Sequence, residues 1–431
     1  MLVAFGVHIA IALSMTSALA IYLVYGQYQM IEKVFASTAF EALRDYVFAV
    51  IPLFMLMGEF IGKSGAVTDV YIGINRGLRR IPGRLAIATV LGNAIFSFVT
   101  GVSIASAAAF SRIAYPEMKR FGYHHGFALG TVAGSSCLGM LIPPSVLMIV
   151  WGLLTEQSIG KIFAAGVFPG LLLVSLFIIY VLIVAISNPS AVGGGRDASD
   201  DVAALEGHDV SPMAVWTSAI GISLVVVSVL GGIWFGVFTP TEGAGAGAFI
   251  GLMLGIIKGM RFKDIIDSIL SVGRTSAPIL LLLLTASIYS RTLAITGVGN
   301  AIQDVFLGSG MLPWMIIGVM VLIWFALGMV IDSISIMLLT VGIFHPIAVQ
   351  LGVDPIAFAI IGIIAIEAGL LTPPFGLLVY TVKAAIQEDD PDITIVQIFK
   401  SSTPYWIAML IGMVLIIIFP EIATYLPGIV F

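Results

Sequence analysis

The chain is 431 residues long, 59% hydrophobic and only 10% charged, with a formal net charge of −5. Soluble domains carry about 25% charged residues, so the composition excludes an ordinary soluble fold and points to lipid as the solvent. The acidic balance, with no basic patch threaded by aromatics, excludes nucleic-acid binding, and the lone Cys137 excludes an intramolecular disulfide or a cysteine metal cage.

The sequence opens MLVAFGVHIAIALSM. This lacks the basic start and small-residue cleavage site of a signal peptide, so 2–25 reads as the first membrane span. A second span follows at 45–62; crossing the hydrocarbon takes about 20 residues of helix. Residues 83–118 are not a simple span: two short helices are interrupted at Thr100-Gly101-Val102-Ser103. Residues 122–158 are a long apolar stretch broken by Pro143-Pro144, and 163–187 is a span without charge. The stretch 188–210 is Gly-rich, then acidic, and reads as a solvated linker. Spans at 213–232, 241–257 and 264–292 come next. At the start of the second of these, FTPTEGAGAGAF (238–249) predicts a turn and a small-residue helix suited to close packing. Residues 312–345 form another interrupted hairpin, with its break at Gly328–Ser333. Residues 355–386 are again broken by a double proline, Pro373-Pro374, and 403–420 is the last span.

These elements repeat. A shift of 230 residues puts Ser103-Ile104 on Ser333-Ile334, Pro116 on Pro346, Gly139 on Gly369 and Pro143-Pro144 on Pro373-Pro374. Internal duplication is common in secondary transporters. The first repeat is 1–187, with scaffold helices in 1–62, hairpin 83–118, broken helix 122–158 and helix 163–187. Residues 188–232 hold the linker and a connecting span, and 233–431 the second repeat. Charge orients the halves, because Lys and Arg gather on the cytoplasmic side. Arg76, Arg79, Arg80, Arg84, Arg112, Lys119 and Arg120 flank the first hairpin, whereas no Lys or Arg flanks the second. The first should dip in from the cytoplasm and the second from outside. The expectation is an all-α polytopic membrane protein with two inverted repeats, two re-entrant helical hairpins and two Pro-Pro-broken helices. Its N-terminus would be cytoplasmic and its C-terminus periplasmic.

Irregular backbone at membrane depth must be buried in protein or line a cavity. Proline supplies no amide hydrogen, so each double proline frees carbonyl oxygens from the helix ladder. Those oxygens, with Ser and Thr hydroxyls, suit a bare sodium ion, and half-helix N-termini aimed at the same point favour a carboxylate. Two acids lie in these breaks, Asp332 and Glu367. A carboxylate in hydrocarbon costs at least about 2.5–3.5 kcal/mol, so each either serves a cation or proton or is a structural partner to a hydroxyl or amide. Arg291, at the end of a span, either attracts a substrate carboxylate or snorkels to the interface. No phosphate-binding loop and no catalytic constellation accompanies these features.

Several segments together resemble the large membrane subunit of tripartite ATP-independent periplasmic (TRAP) transporters, the DctM-like permeases. They are IPLFMLMGEFIGKSG (51–65), FSFVTGVSIASAAAFSRIAYPEMKRFGY (96–123), GTVAGSSCLGMLIPPS (130–145), FTPTEGAGAGAF (238–249), IDSISIMLLTVGIFHPIA (331–348) and IEAGLLTPPFGLLVYTVKAA (366–385). The resemblance implies a bacterial inner-membrane permease whose transport domain moves as an elevator against a scaffold. It implies sodium as the coupling ion, a small four-helix membrane partner, and a periplasmic binding protein that delivers an organic acid. It further implies a first sodium site at Thr100, Val102, Gly139, Ile142 and Pro144, and a second at Gly328, Gly369, Thr372 and Phe375 with Asp332 close by. Val102 stands where the family is usually Ser- and Gly-rich, so it could offer only its carbonyl. Asn93, Ser103, Ser333 and Arg291 are the substrate-side candidates. A stand-alone organic-anion carrier and an anion channel remain open alternatives, with an intramembrane enzyme further off.

Overall fold

The computed structural model describes residues 6–193 and 211–431, so most of the linker at 188–210 lies outside the described residues. The chain is an all-α polytopic membrane protein. Among the described residues seven helices are long and apolar enough to cross a membrane: Tyr46–Lys63, Ile159–Ser187, Pro212–Trp234, Pro240–Ile257, Phe262–Thr296, Ser333–Gln350 and Ile395–Ile418. In six of them no more than 39% of the most apolar stretch is buried. Leu23, Ile186, Trp216 and Phe262 accordingly face outward. In water such a surface would drive aggregation; in lipid it is the solvated face.

Helix boundaries differ from the sequence reading in informative places. The span expected at 2–25 is helical over Ile9–Tyr25, and the one expected at 264–292 extends over the 35 residues Phe262–Thr296. The last span begins earlier, at Ile395, where Thr394 and Gln397 form a capping box that satisfies amides of the first turn. Among the described residues, the helices Tyr28–Arg44, Ala66–Gly77, Val298–Leu307 and Glu421–Val430 were not anticipated. Tyr28–Arg44 is amphipathic, burying Val34, Thr38 and Ala42 at four-residue spacing while Glu32, Lys33 and Glu41 leave its mean hydropathy low. Ala66–Gly77 likewise mixes buried apolar residues with Asp69 and Arg76.

Packing sorts the helices into two groups. Ile9–Tyr25, Tyr28–Arg44 and Val50–Lys63 pack on Phe262–Thr296, and Pro240–Ile257 packs on Val50–Lys63. The small-residue segment works there as expected: Thr239 and Glu242 cap the helix reciprocally, and Gly247 and Gly251 lie against Met57. Asp69 is tied into this group by Ser218, whose hydroxyl donates to it at 2.6 Å, and by an ion pair with Lys258. The second group contains the hairpins, the broken segments and Ile159–Ser187 with Ile395–Ile418. Its interior is the most enclosed part of the molecule: every residue from Ala357 to Gly369, and from Gly126 to Ser136, is buried. Trp151 meets Trp324 and Phe358 edge-on in this interior, and those two rings lie tilted against each other.

Candidate functional site

The first hairpin runs up Arg84–Thr100 and back along Ser103–Arg120. Between them Gly101 takes a left-handed φ of 61°, which glycine adopts without a Cβ penalty. Val102 is extended, so the second arm starts at Ser103. The second hairpin, Pro313–Gly328 and Ser333–Gln350, restarts at the matching serine, and Asp332 caps that arm by accepting the Ser335 amide at 3.0 Å.

Each tip rests on a broken segment. His125–Ser136 tightens into a short turn at Cys137–Met140, passes Pro143 and Pro144, and resumes at Val146–Thr155. Pro355–Gly369 passes Thr372, Pro373 and Pro374 before resuming at Leu377–Ala385. The Pro-Pro peptide bond is cis in both breaks. The Val146 amide donates to the Gly101 carbonyl at 3.1 Å, and the Phe375 amide to the Met329 carbonyl at 3.1 Å. At the second junction the main chains touch: a Cβ on Gly369 would sit 2.7 Å from Gly328 Cα and 2.5 Å from the Phe325 carbonyl oxygen.

The structure therefore brings the expected ion-binding positions into two groups. Thr100 and Val102 lie at the first tip, with Gly139 packed against Val102 and Ser103 and with Ile142 and Pro144 on the facing break. Gly328 abuts Gly369, whose carbonyl accepts the Thr372 hydroxyl at 2.6 Å, and Phe375 meets the second tip through Met329. Hydroxyl and carbonyl oxygens of this kind are hard ligands suited to an alkali cation. Among the described residues no three His, Cys, Asp or Glu side chains gather as a metal cluster. A cavity of about 480 Å³ borders the first tip at Thr100 and Val102, walled by Glu59 and Lys63 from one neighbouring helix and Ser271 and Thr275 from another. A second, of about 310 Å³, borders the other tip at Gly328, Asp332 and Phe375.

The substrate-side candidates are placed differently from one another. Ser103 and Ser333 are buried, and both donate to Glu367, at 2.6 Å to Oε2 and 2.7 Å to Oε1. Glu367 is 1% exposed, and its main-chain oxygen accepts the Cys137 thiol at 3.7 Å. Asn93 is fully buried; its amide nitrogen donates to Ser135 at 2.6 Å, while its Oδ1 has no hydrogen-bond partner among the described residues. Arg291 bonds Glu41 at 2.8 Å and Thr38 at 3.3 Å, both on the amphipathic helix Tyr28–Arg44. A sequence search for apolar spans passes over Glu41, so that partner went unnoticed.

The far end of the first hairpin is anchored outside the apolar spans. Lys119 donates to both oxygens of Asp390, at 2.7 and 2.8 Å, and Tyr115 donates to the same carboxylate at 2.9 Å. Burial works to raise the Asp390 carboxyl. Hydrogen bonds from Lys119 and Tyr115, with the Lys119 charge, outweigh it and hold the group below the ordinary carboxylate range.

Residues 1–422 match the family model described as "Tripartite ATP-independent periplasmic transporter, DctM component". The chain is 32% identical over 393 residues to the C4-dicarboxylate TRAP transporter large permease protein DctM of Pseudomonas aeruginosa, covering 90% of this chain and 88% of that one. It is 25% identical to the ectoine TRAP transporter large permease protein TeaC of Halomonas elongata, covering 99% and 96%. The sialic acid TRAP transporter large permease protein SiaM of Vibrio cholerae is likewise 25% identical, covering 89% and 86%. In fold the chain resembles the YdaH transporter of Alcanivorax borkumensis, with a TM-score of 0.66 at 13% identity over 97% of this chain and 96% of that one. It also resembles MtrF of Neisseria gonorrhoeae, with a TM-score of 0.61 at 14% identity over 91% and 85%.

Proposed function

The chain belongs to the DctM-component family of tripartite ATP-independent periplasmic transporters, and we propose that it imports small organic acids, driven by a sodium gradient. It acts as the large permease beside a small four-helix membrane subunit, and a periplasmic binding protein hands it the substrate. The observation that carries this reading is the paired site: two hairpin tips, each seated on a Pro-Pro break and each offering carbonyl and hydroxyl oxygens. Freed main-chain oxygens provide cation ligands without a carboxylate cluster, and helix N-termini at Ser103 and Ser333 favour an anion beside them.

In this reading the first sodium site uses Thr100, Val102, Gly139, Ile142 and Pro144. The second uses Gly328, Gly369, Thr372 and Phe375, with Asp332 supporting the tip as a cap. The hairpins are re-entrant, the first opening to the cytoplasm and the second to the periplasm. The two packing groups supply a mobile transport domain and a scaffold for an elevator movement, in the inner membrane with a cytoplasmic N-terminus and a periplasmic C-terminus. Carboxylate cargo is favoured because relatives are named for C4-dicarboxylates and sialic acid. Uptake of a labelled dicarboxylate into proteoliposomes, with and without the binding protein and an inward sodium gradient, tests the proposal. Uptake that needs neither addition would replace it with a stand-alone carrier or a channel.

A further inference from the structure

Glu367 is where all four interruptions of the helical ladder meet. It lies on the helix that ends at the second break, and its main-chain oxygen accepts the Cys137 thiol from the first break. One of its carboxylate oxygens takes the hydroxyl of Ser103 from the first tip, and the other takes the hydroxyl of Ser333 from the second. The two serines are the same position of the repeat, each the first residue of a returning hairpin arm. Cys137 and Glu367 are also a repeat pair, separated by the same 230 residues.

We propose that Glu367 is a positioning residue that locks the two hairpin tips to each other, so that neither tip opens without loosening its counterpart. A carboxylate holds its two oxygens in a fixed plane, so the two accepted bonds share one rigid body. Each serine has a single hydroxyl proton, and here it is committed to Glu367. When one tip withdraws, Glu367 is left with an unsatisfied buried oxygen and swings to recover a partner. That movement strains the bond to the other tip, because buried polar groups are costly to leave unpaired. Motion at one tip is thereby transmitted to the other through one side chain. Such a lock suits the elevator reading, in which both tips travel as parts of one transport domain. The inference rests on the transporter reading for its purpose, but not for its test.

Hydrogen–deuterium exchange of the full chain in lipid nanodiscs, followed at tip segments 98–104 and 328–334, measures the coupling without any transport assay. Ser103→Ala should speed exchange about tenfold at 328–334 as well as at its own tip, and Ser333→Ala should do the same at 98–104. In a Glu367→Ala background neither serine change should alter the opposite tip. Glu367→Gln, whose amide accepts from one serine and donates to the other, should restore protection close to that of the unaltered chain. Should Glu367→Ala fail to fold, the two serine variants and Glu367→Gln decide the question alone. Exchange that rises only at the mutated tip would overturn the proposal. So would a cross-tip effect that persists in Glu367→Ala. A failure of sodium-driven uptake with cross-tip coupling intact would count against the transport reading instead.

Discussion

Ser103 and Ser333 come from different hairpins yet place their hydroxyls on the two oxygens of one buried carboxylate, at 2.6 and 2.7 Å. Their equivalence in the repeat is therefore also a meeting in space. A site built from two related halves is sensitive to the spacing between each tip and its break, and that sensitivity can be measured.

At the second tip the hairpin meets its break glycine on glycine. Gly369→Ala places a methyl group 2.5 Å from the Phe325 carbonyl oxygen and 2.7 Å from Gly328 Cα, so the second tip must lift from its break. Such overpacking costs about 1–3 kcal/mol. We expect a lower melting temperature in detergent and more than about a tenfold loss of uptake. Gly245→Ala is the control: nothing lies within 4 Å of its would-be Cβ, and the helix should gain about 0.5–1 kcal/mol.

Thr372 offers the hydroxyl of the second proposed ion site, held toward the Gly369 carbonyl at 2.6 Å. Thr372→Ala should raise the half-saturating sodium concentration about three- to tenfold with little change in folding. Thr381→Ala, at a half-buried helical position whose hydroxyl bonds the Leu377 carbonyl, should leave it unchanged. Equal sodium curves for both variants would remove Thr372 from the site.

Asp390 predicts a pH effect with a defined sign. Its carboxyl is depressed in the folded chain by the Lys119 and Tyr115 hydrogen bonds and the Lys119 charge, against the opposing effect of burial. The stabilisation is therefore present above the ordinary carboxylate value of about 4 and is lost as pH falls through the folded value. Thermal melts should show Asp390→Asn less stable than the parent by about 1 kcal/mol at neutral pH. The gap should close in acid. A gap that stays constant down to acid pH would contradict this assignment.

In the first packing group, Lys258 and Asp69 form an ion pair with only 16% and 12% of their side chains exposed. Removing one member strands the other, at about 3–5 kcal/mol. Lys258→Met should destabilise strongly, and adding Asp69→Asn should recover most of the loss, since asparagine still accepts from Ser218. Melts of the two single variants and the double variant check this.

How much of this was legible beforehand depended on the kind of signal each residue leaves. The double prolines and Gly101 announce irregular backbone because few other residues serve there, so both tips and both breaks were readable. Tyr28–Arg44 was not, because an amphipathic helix carrying Glu32, Lys33 and Glu41 falls below any span threshold although it packs firmly on Phe262–Thr296. The Glu41 partner of Arg291 was hidden for the same reason. Glu367 was recognised as a buried acid. That it joins both serines could not be read, since Ser103 is 264 residues away and only folding brings them together. From sequence Asp332 reads as an ion ligand or as a structural partner to a hydroxyl or amide, and its bond to the Ser335 amide supplies the second role.

The central claim is tested most directly by uptake into proteoliposomes holding this chain and its small membrane partner, assayed with and without the binding protein and an inward sodium gradient. The account predicts substrate accumulation only when both are supplied. Accumulation that is indifferent to sodium would contradict it.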